Sequence, residues 1–224
     1  MKKSLVVLVA LLMVGFTKVN AQVDLTFSKG IKVNTTMSNF RLNGVDGKSK
    51  MGFGVSVGNS DKLEIGENFA LQGEFIIHYK TSKMTDKTTQ LESDLKYWGV
   101  EVPAYGIGQM KMGSGKAFIG IGPYLGYGFS AKSNPGKINL YKKDKTTGET
   151  PMKRWDFGGG VILGYEFENG LFVNASYKMG FLDSWNVYNS DAKVRSQTLS
   201  FGLGYRFSLF AATFDKNKFK FSGK

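Results

Sequence analysis

His78 is the only histidine in the 224-residue chain, and the chain has no cysteine. Acid–base or nucleophilic catalysis at a polar site usually needs a proton acceptor held against a hydroxyl or carboxyl partner, most often a histidine. A zinc site needs several His or Cys ligands, and one imidazole meets neither requirement. Gly113-Ser114-Gly115-Lys116 has the composition of a phosphate loop but lacks the Walker spacing and a following helix, so it reads as a turn. The residues therefore predict no enzyme, no metal and no cofactor. Two groups of charges remain. Lys32, Glu74, His78, Glu101, Lys178 and Arg206, with Asp156 and Glu166, lie inside stretches otherwise made of apolar and small residues. Lys132, Lys137, Lys142, Lys143, Lys145, Lys153 and Arg154 crowd one polar segment that holds only Asp144 and Glu149 in opposition.

The stretches that carry the first group alternate with a period of two. From Ala117 to Ser130 the odd positions include Ile119, Ile121, Leu125 and Phe129, and the even ones Gly120, Gly122, Gly126 and Gly128. Leu199, Phe201, Leu203, Tyr205 and Phe207 likewise face away from Ser200, Gly202, Gly204 and Arg206. Strands put successive side chains on opposite faces, so one face is oily and the other small and polar, the signature of a barrel in lipid. A soluble, secreted barrel with an apolar pocket is the alternative, and it would turn the oily face inward.

The N-terminus sets the compartment. Lys2 and Lys3 precede an apolar run from Leu5 to Phe16, and Val19-Asn20-Ala21 offers small residues at a cleavage site, so residues 1–21 read as a signal peptide cleaved before Gln22. The run is too short for a spanning helix, which needs about 20 residues. After it no helix-length apolar run follows, so a membrane crossing must be made by strands closed into a barrel.

Eight candidate strands follow: Lys29–Ser38, Lys50–Val57, Phe69–Tyr79, Lys96–Met110, Ala117–Ser130, Trp155–Phe167, Leu171–Phe181 and Thr198–Phe207. Pro103 in the fourth predicts a bulge or an unpaired position. Connections after the second, fourth and sixth strands are compact, ending with the Asn169-Gly170 hairpin signal. Those over 40–49, 80–95, 131–154 and 182–197 are polar and mostly longer. The fold class expected is all-β, an eight-stranded antiparallel up-and-down transmembrane β-barrel over 22–207, with short periplasmic turns, long outer loops and a basic periplasmic tail over 208–224.

Four motifs in order, Gly30-Ile31-Lys32-Val33 with Ser38-Asn39-Phe40, Val100-Glu101-Val102-Pro103, Gly122-Pro123-Tyr124-Leu125-Gly126-Tyr127 and Leu203-Gly204-Tyr205-Arg206-Phe207, resemble the PorT-type outer-membrane β-barrel proteins common in Bacteroidetes. The resemblance spans nearly the whole chain after the leader. It implies a fold and an outer-membrane location; the link of one member to secretion and gliding does not transfer on fold alone. Family chains usually end at the aromatic matching Phe207, and this one continues to Lys224.

A lumen of eight strands has room for little beyond its own side chains, so the inward charges read as a salt-bridge plug, with a gate or a proton-sensitive His78 as the sharper alternative. The formal charge of +12 falls to +9 when Lys2, Lys3 and Lys18 leave with the leader. Nucleic acid does not fit an exported barrel without a base-stacking domain. The basic loop would instead meet lipopolysaccharide phosphates, or stay merely solvated. Trp98, Trp155, Tyr79 and Phe207 at strand ends read as interfacial anchors. The function expected is a non-enzymatic outer-membrane protein with a structural or surface-binding role. An accessory part of a secretion or motility machine, binding an envelope protein through loops or tail, is the alternative, and a narrow channel stands behind both.

Overall fold

Period-two alternation becomes strand because only an extended backbone sends neighbouring side chains to opposite faces. The computed structural model describes residues 23–44, 47–86, 92–134, 138–143, 148, 150–186, 193–215 and 218–223. The expected signal peptide lies outside the described residues. Eight long strands carry the fold: β1 (Val23–Asn43), β2 (Gly47–Ile65), β3 (Phe69–Asp86), β4 (Glu92–Met112), β5 (Gly115–Asn134), β7 (Trp155–Phe167), β8 (Leu171–Gly180) and β9 (Lys193–Asp215). The short β6 (Ile138–Asn139) lies on β5, and β10 (Lys218–Gly223) folds back onto β9. Each long strand is antiparallel to the next, and β1 pairs with β9 to close the ring. The fold is an all-β, eight-stranded antiparallel up-and-down barrel.

The oily face points outward. Ile31, Phe53, Ile121 and Leu203 are all at least half exposed, whereas Lys32, Glu74, Glu101 and Arg206 are buried inside. Inward glycines make room for the larger residues that fill the lumen. A methyl group on Gly160 would lie 2.8 Å from Cγ of Lys178, and one on Gly204 would lie 2.3 Å from Cζ of Phe172.

Six strands run 18 to 23 residues, well past the roughly 9–11 that cross a bilayer. The excess corrects the expected loop boundaries. The turn after β2 is only Gly66 to Asn68, and most of 40–49 and 80–95 is strand. Beyond the lipid both faces of a wall are wet, so strand there carries charge on both sides and looks like loop. β9 likewise passes Phe207 and reaches Asp215. Around Pro103 the pairing of β4 lapses on both sides with no change of register, so the interruption expected there is an unpaired position. The register shift on β4–β5 falls instead between Trp98 and Gly99.

Candidate functional site: a layered lumen

Three sets of side chains occupy the lumen at successive levels. Toward the end that carries the longest connections, Glu101 of β4 is gripped by Lys80 of β3 and by Lys178, which reaches across from β8. Lys80 also spans the lumen, donating to Thr198 Oγ1 of β9 at 3.2 Å. Asp156 has no cation at bonding distance among the described residues. Its Oδ2 instead accepts from Ser196 Oγ at 2.5 Å and Tyr124 OH at 3.0 Å. His78 Nδ1 is 3.8 Å from Glu101 and makes no hydrogen bond, while its ring meets Tyr97 edge-on.

Deeper, Lys32 of β1 meets Glu74 of β3 at 2.7 Å, and Gln72 donates to the same oxygen at 2.8 Å. Gln72 hands on to Arg206, whose guanidinium also bonds Ser60 and lies 3.2 Å from Glu166. Lys62 of β2 crosses to Glu166 of β7 at 2.9 Å and pairs with Glu64 at 2.8 Å, and Lys116 holds Glu64 from the other side. An apolar cluster of Ala70, Tyr105, Ile107, Phe118 and Ile162 fills a further part of the interior.

The third set is a lid. Phe40, Leu95, Ala131, Leu140, Tyr141, Met152 and Val194 bury one another where the longest connection folds over the mouth. Arg154 stitches it down, donating to the carbonyl oxygens of Gly128, Phe129 and Tyr141 and stacking 5.0 Å above the Tyr141 ring. Burial in this lid pushes the Tyr141 hydroxyl above its ordinary pKa.

Of the inward residues expected from the sequence, the structure pairs Lys32 with Glu74 and Lys178 with Glu101, but gives Arg206 to Glu166. Lys62, Glu64, Lys80 and Lys116 were missed because they fall in stretches read as turn or loop. The parity running from Ser56 through Ser60, or from Glu74 through His78, continues onto Lys62 and Lys80 and could have found them. In the basic group, Lys132, Lys142, Lys143 and Lys153 are exposed, Arg154 is committed to the lid, and Lys137 and Lys145 lie outside the described residues.

Residues 20–186 match the family described as outer membrane protein beta-barrel domain. The chain belongs to this family. Outer-membrane barrels carry short turns on the periplasmic side and longer loops outside, so the lid is extracellular and the β2–β3, β4–β5 and β7–β8 turns are periplasmic. Among solved structures, OprG from Pseudomonas aeruginosa is similar with a TM-score of 0.50 at 13% identity, covering 82% of this chain and 95% of that one. Neisserial surface protein A matches at a TM-score of 0.46 and 17% identity, covering 80% and 97%. Ail from Yersinia pestis matches at 0.42 and 17%, covering 80% and 98%. No curated protein matches the sequence. Family and fold place the protein in the outer membrane.

Proposed function

We propose that this outer-membrane barrel is non-enzymatic, has a plugged lumen and acts through its outer surface, in a structural or surface-binding role served by the basic loops. The observation that carries the reading is the crossing of the lumen at two depths, Lys178 to Glu101 and Lys62 to Glu166, by side chains from opposite walls. A buried ion pair holds its partners in place because separating them strands a charge, at about 3–5 kcal/mol. Folded protein, verified by a heat-dependent mobility shift, should give no single-channel steps in a planar bilayer; discrete steps would sink the plug. The PorT-type kinship read from the four motifs is the finer assignment that belongs with this proposal.

A second reading, an accessory component of an envelope assembly, draws on the far end of β9. β8 accompanies β9 only as far as Tyr205, so β9 runs on beside β1 below the wall and its last residues, Phe210 to Asp215, also pair with β10. Strand projecting there offers a backbone edge for a partner. Crosslinked complexes that survive in the whole chain but vanish on removal of 216–224, which spares the β1–β9 pairing, would favour it over the first reading.

A further inference from the structure

Like charges directly opposite on neighbouring strands destabilise a sheet unless an opposite charge joins them. The outer surface of the wall holds one such opposition of arginines, Arg41 to Arg195 across β1 and β9, and two of lysines: Lys50 faces Lys83 across β2 and β3, and Lys96 faces Lys132 across β4 and β5. The first lysine pair is neutralised within the chain, because Lys50 Nζ lies 3.4 Å from Glu92 and Lys83 Nζ lies 3.9 Å from Asp94. The second is not. Lys96 and Lys132 are both exposed, and neither makes an ion pair among the described residues. Their row is continued by Thr81 on one side and Asn139 on the other.

The chain takes a specific step to create this opposition. β5 points odd residues outward as far as Phe129; the register shift at Trp98/Gly99 then inserts one residue, so that Ala131 is buried and Lys132 is exposed. Bulges re-aim side chains in this way. Without it Lys132 would point into the lumen beneath the lid.

Depth defines the ligand. Trp98 stacks on Tyr79 with ring centroids 4.9 Å apart, and such aromatics sit at the bilayer interface. Lys96 lies two residues further out on the same face of β4, roughly 7 Å along the strand, at the level of the headgroups. Two ammonium groups side by side match a phosphate, which accepts charge-assisted hydrogen bonds from both. We infer that Lys96 and Lys132 bind the phosphate of an outer-leaflet lipid headgroup, with the Tyr79–Trp98 stack against its acyl region. The site deepens the surface-binding reading, on which it rests, and moves that binding from loop to wall.

The test uses whole protein in phosphatidylcholine nanodiscs doped with bis-phosphorylated lipid A, counting lipid retained after extraction into mild detergent. Wild type should be enriched in lipid A, and K96Q/K132Q should lose that enrichment about tenfold, one hydrogen-bonded charge contact being worth a factor of that order. K50Q/K83Q should match wild type, and a heat-dependent gel shift certifies each barrel as folded. Free inorganic phosphate should not displace the lipid; if it does so at the lipid's own concentration, the site is one for free anions and the lipid assignment fails. Equal enrichment in K96Q/K132Q, or equal loss in K50Q/K83Q, overturns the site. Loss only on changing Lys142, Lys143 and Lys153 to Gln overturns it while keeping the surface-binding reading. No enrichment in folded wild type overturns both.

Discussion

The extracellular and periplasmic halves of the lumen bury charge under different conditions. In the outer half Glu101 serves two lysines beneath an apolar lid, and its side chain is 5% exposed. In the inner half Lys62, Glu64, Lys116, Glu166 and Arg206 form a chain of alternating sign in which each acid has two cations. That chain opens onto a periplasmic vestibule, and Lys116 at its end is 31% exposed. Water reaches the acids of the inner half, Glu64 at 13% and Glu166 at 16% exposure, more readily than it reaches Glu101. The comparison teaches that the lid, not the number of ion pairs, decides how costly each luminal charge is to uncouple.

The largest effect should come from Glu101→Gln, which leaves Lys80 and Lys178 buried without a counter-ion and should cost about 3–5 kcal/mol, read from the midpoint of denaturant unfolding followed by tryptophan fluorescence. Glu166→Gln removes an acid shared by Lys62 and Arg206, yet Glu64 and solvent remain. Its cost should be about 1–3 kcal/mol, and a cost equal to that of Glu101→Gln would erase the distinction between the halves. Opening the lid with Met152→Ala should then shrink the cost of Glu101→Gln by about 1 kcal/mol in a double-mutant cycle, because water reaches the stranded lysines; strict additivity would mean that the lid excludes nothing. Smallest of all, Lys50→Gln breaks an exposed pair with Glu92 and should change stability by less than about 1 kcal/mol.

Much of the barrel was legible in the sequence, because lipid forces every second residue of a spanning strand to be apolar. That rule puts the outward aromatics on one face and Lys32, Glu74, Glu101, Lys178 and Arg206 on the other, where they are buried. It failed where lipid stops. Lys62 stands just beyond Asn59 and Asp61, and Lys80 just before Thr81 and Lys83, polar residues on the outward positions that interrupt the local contrast by which a strand is recognised. The partner choice of Arg206 was not legible either, since strand adjacency around a closed ring does not give the height at which each side chain meets another. Nor was the shift at Trp98/Gly99, which reverses the facing of Ala131 and Lys132 and has no marker in residue type.

The central claim is the proposed plug, two charged layers beneath the lid, and the absence of cysteine makes it directly testable. Ser176 lies on the inward face of β8, two residues from Lys178, and is buried. A cysteine placed there in protein held in native outer membranes should resist a membrane-impermeant maleimide from either side until the barrel is unfolded, while Lys142→Cys in the outer connection reacts at once. Labelling of the Ser176→Cys variant at the rate of the loop position would contradict the account.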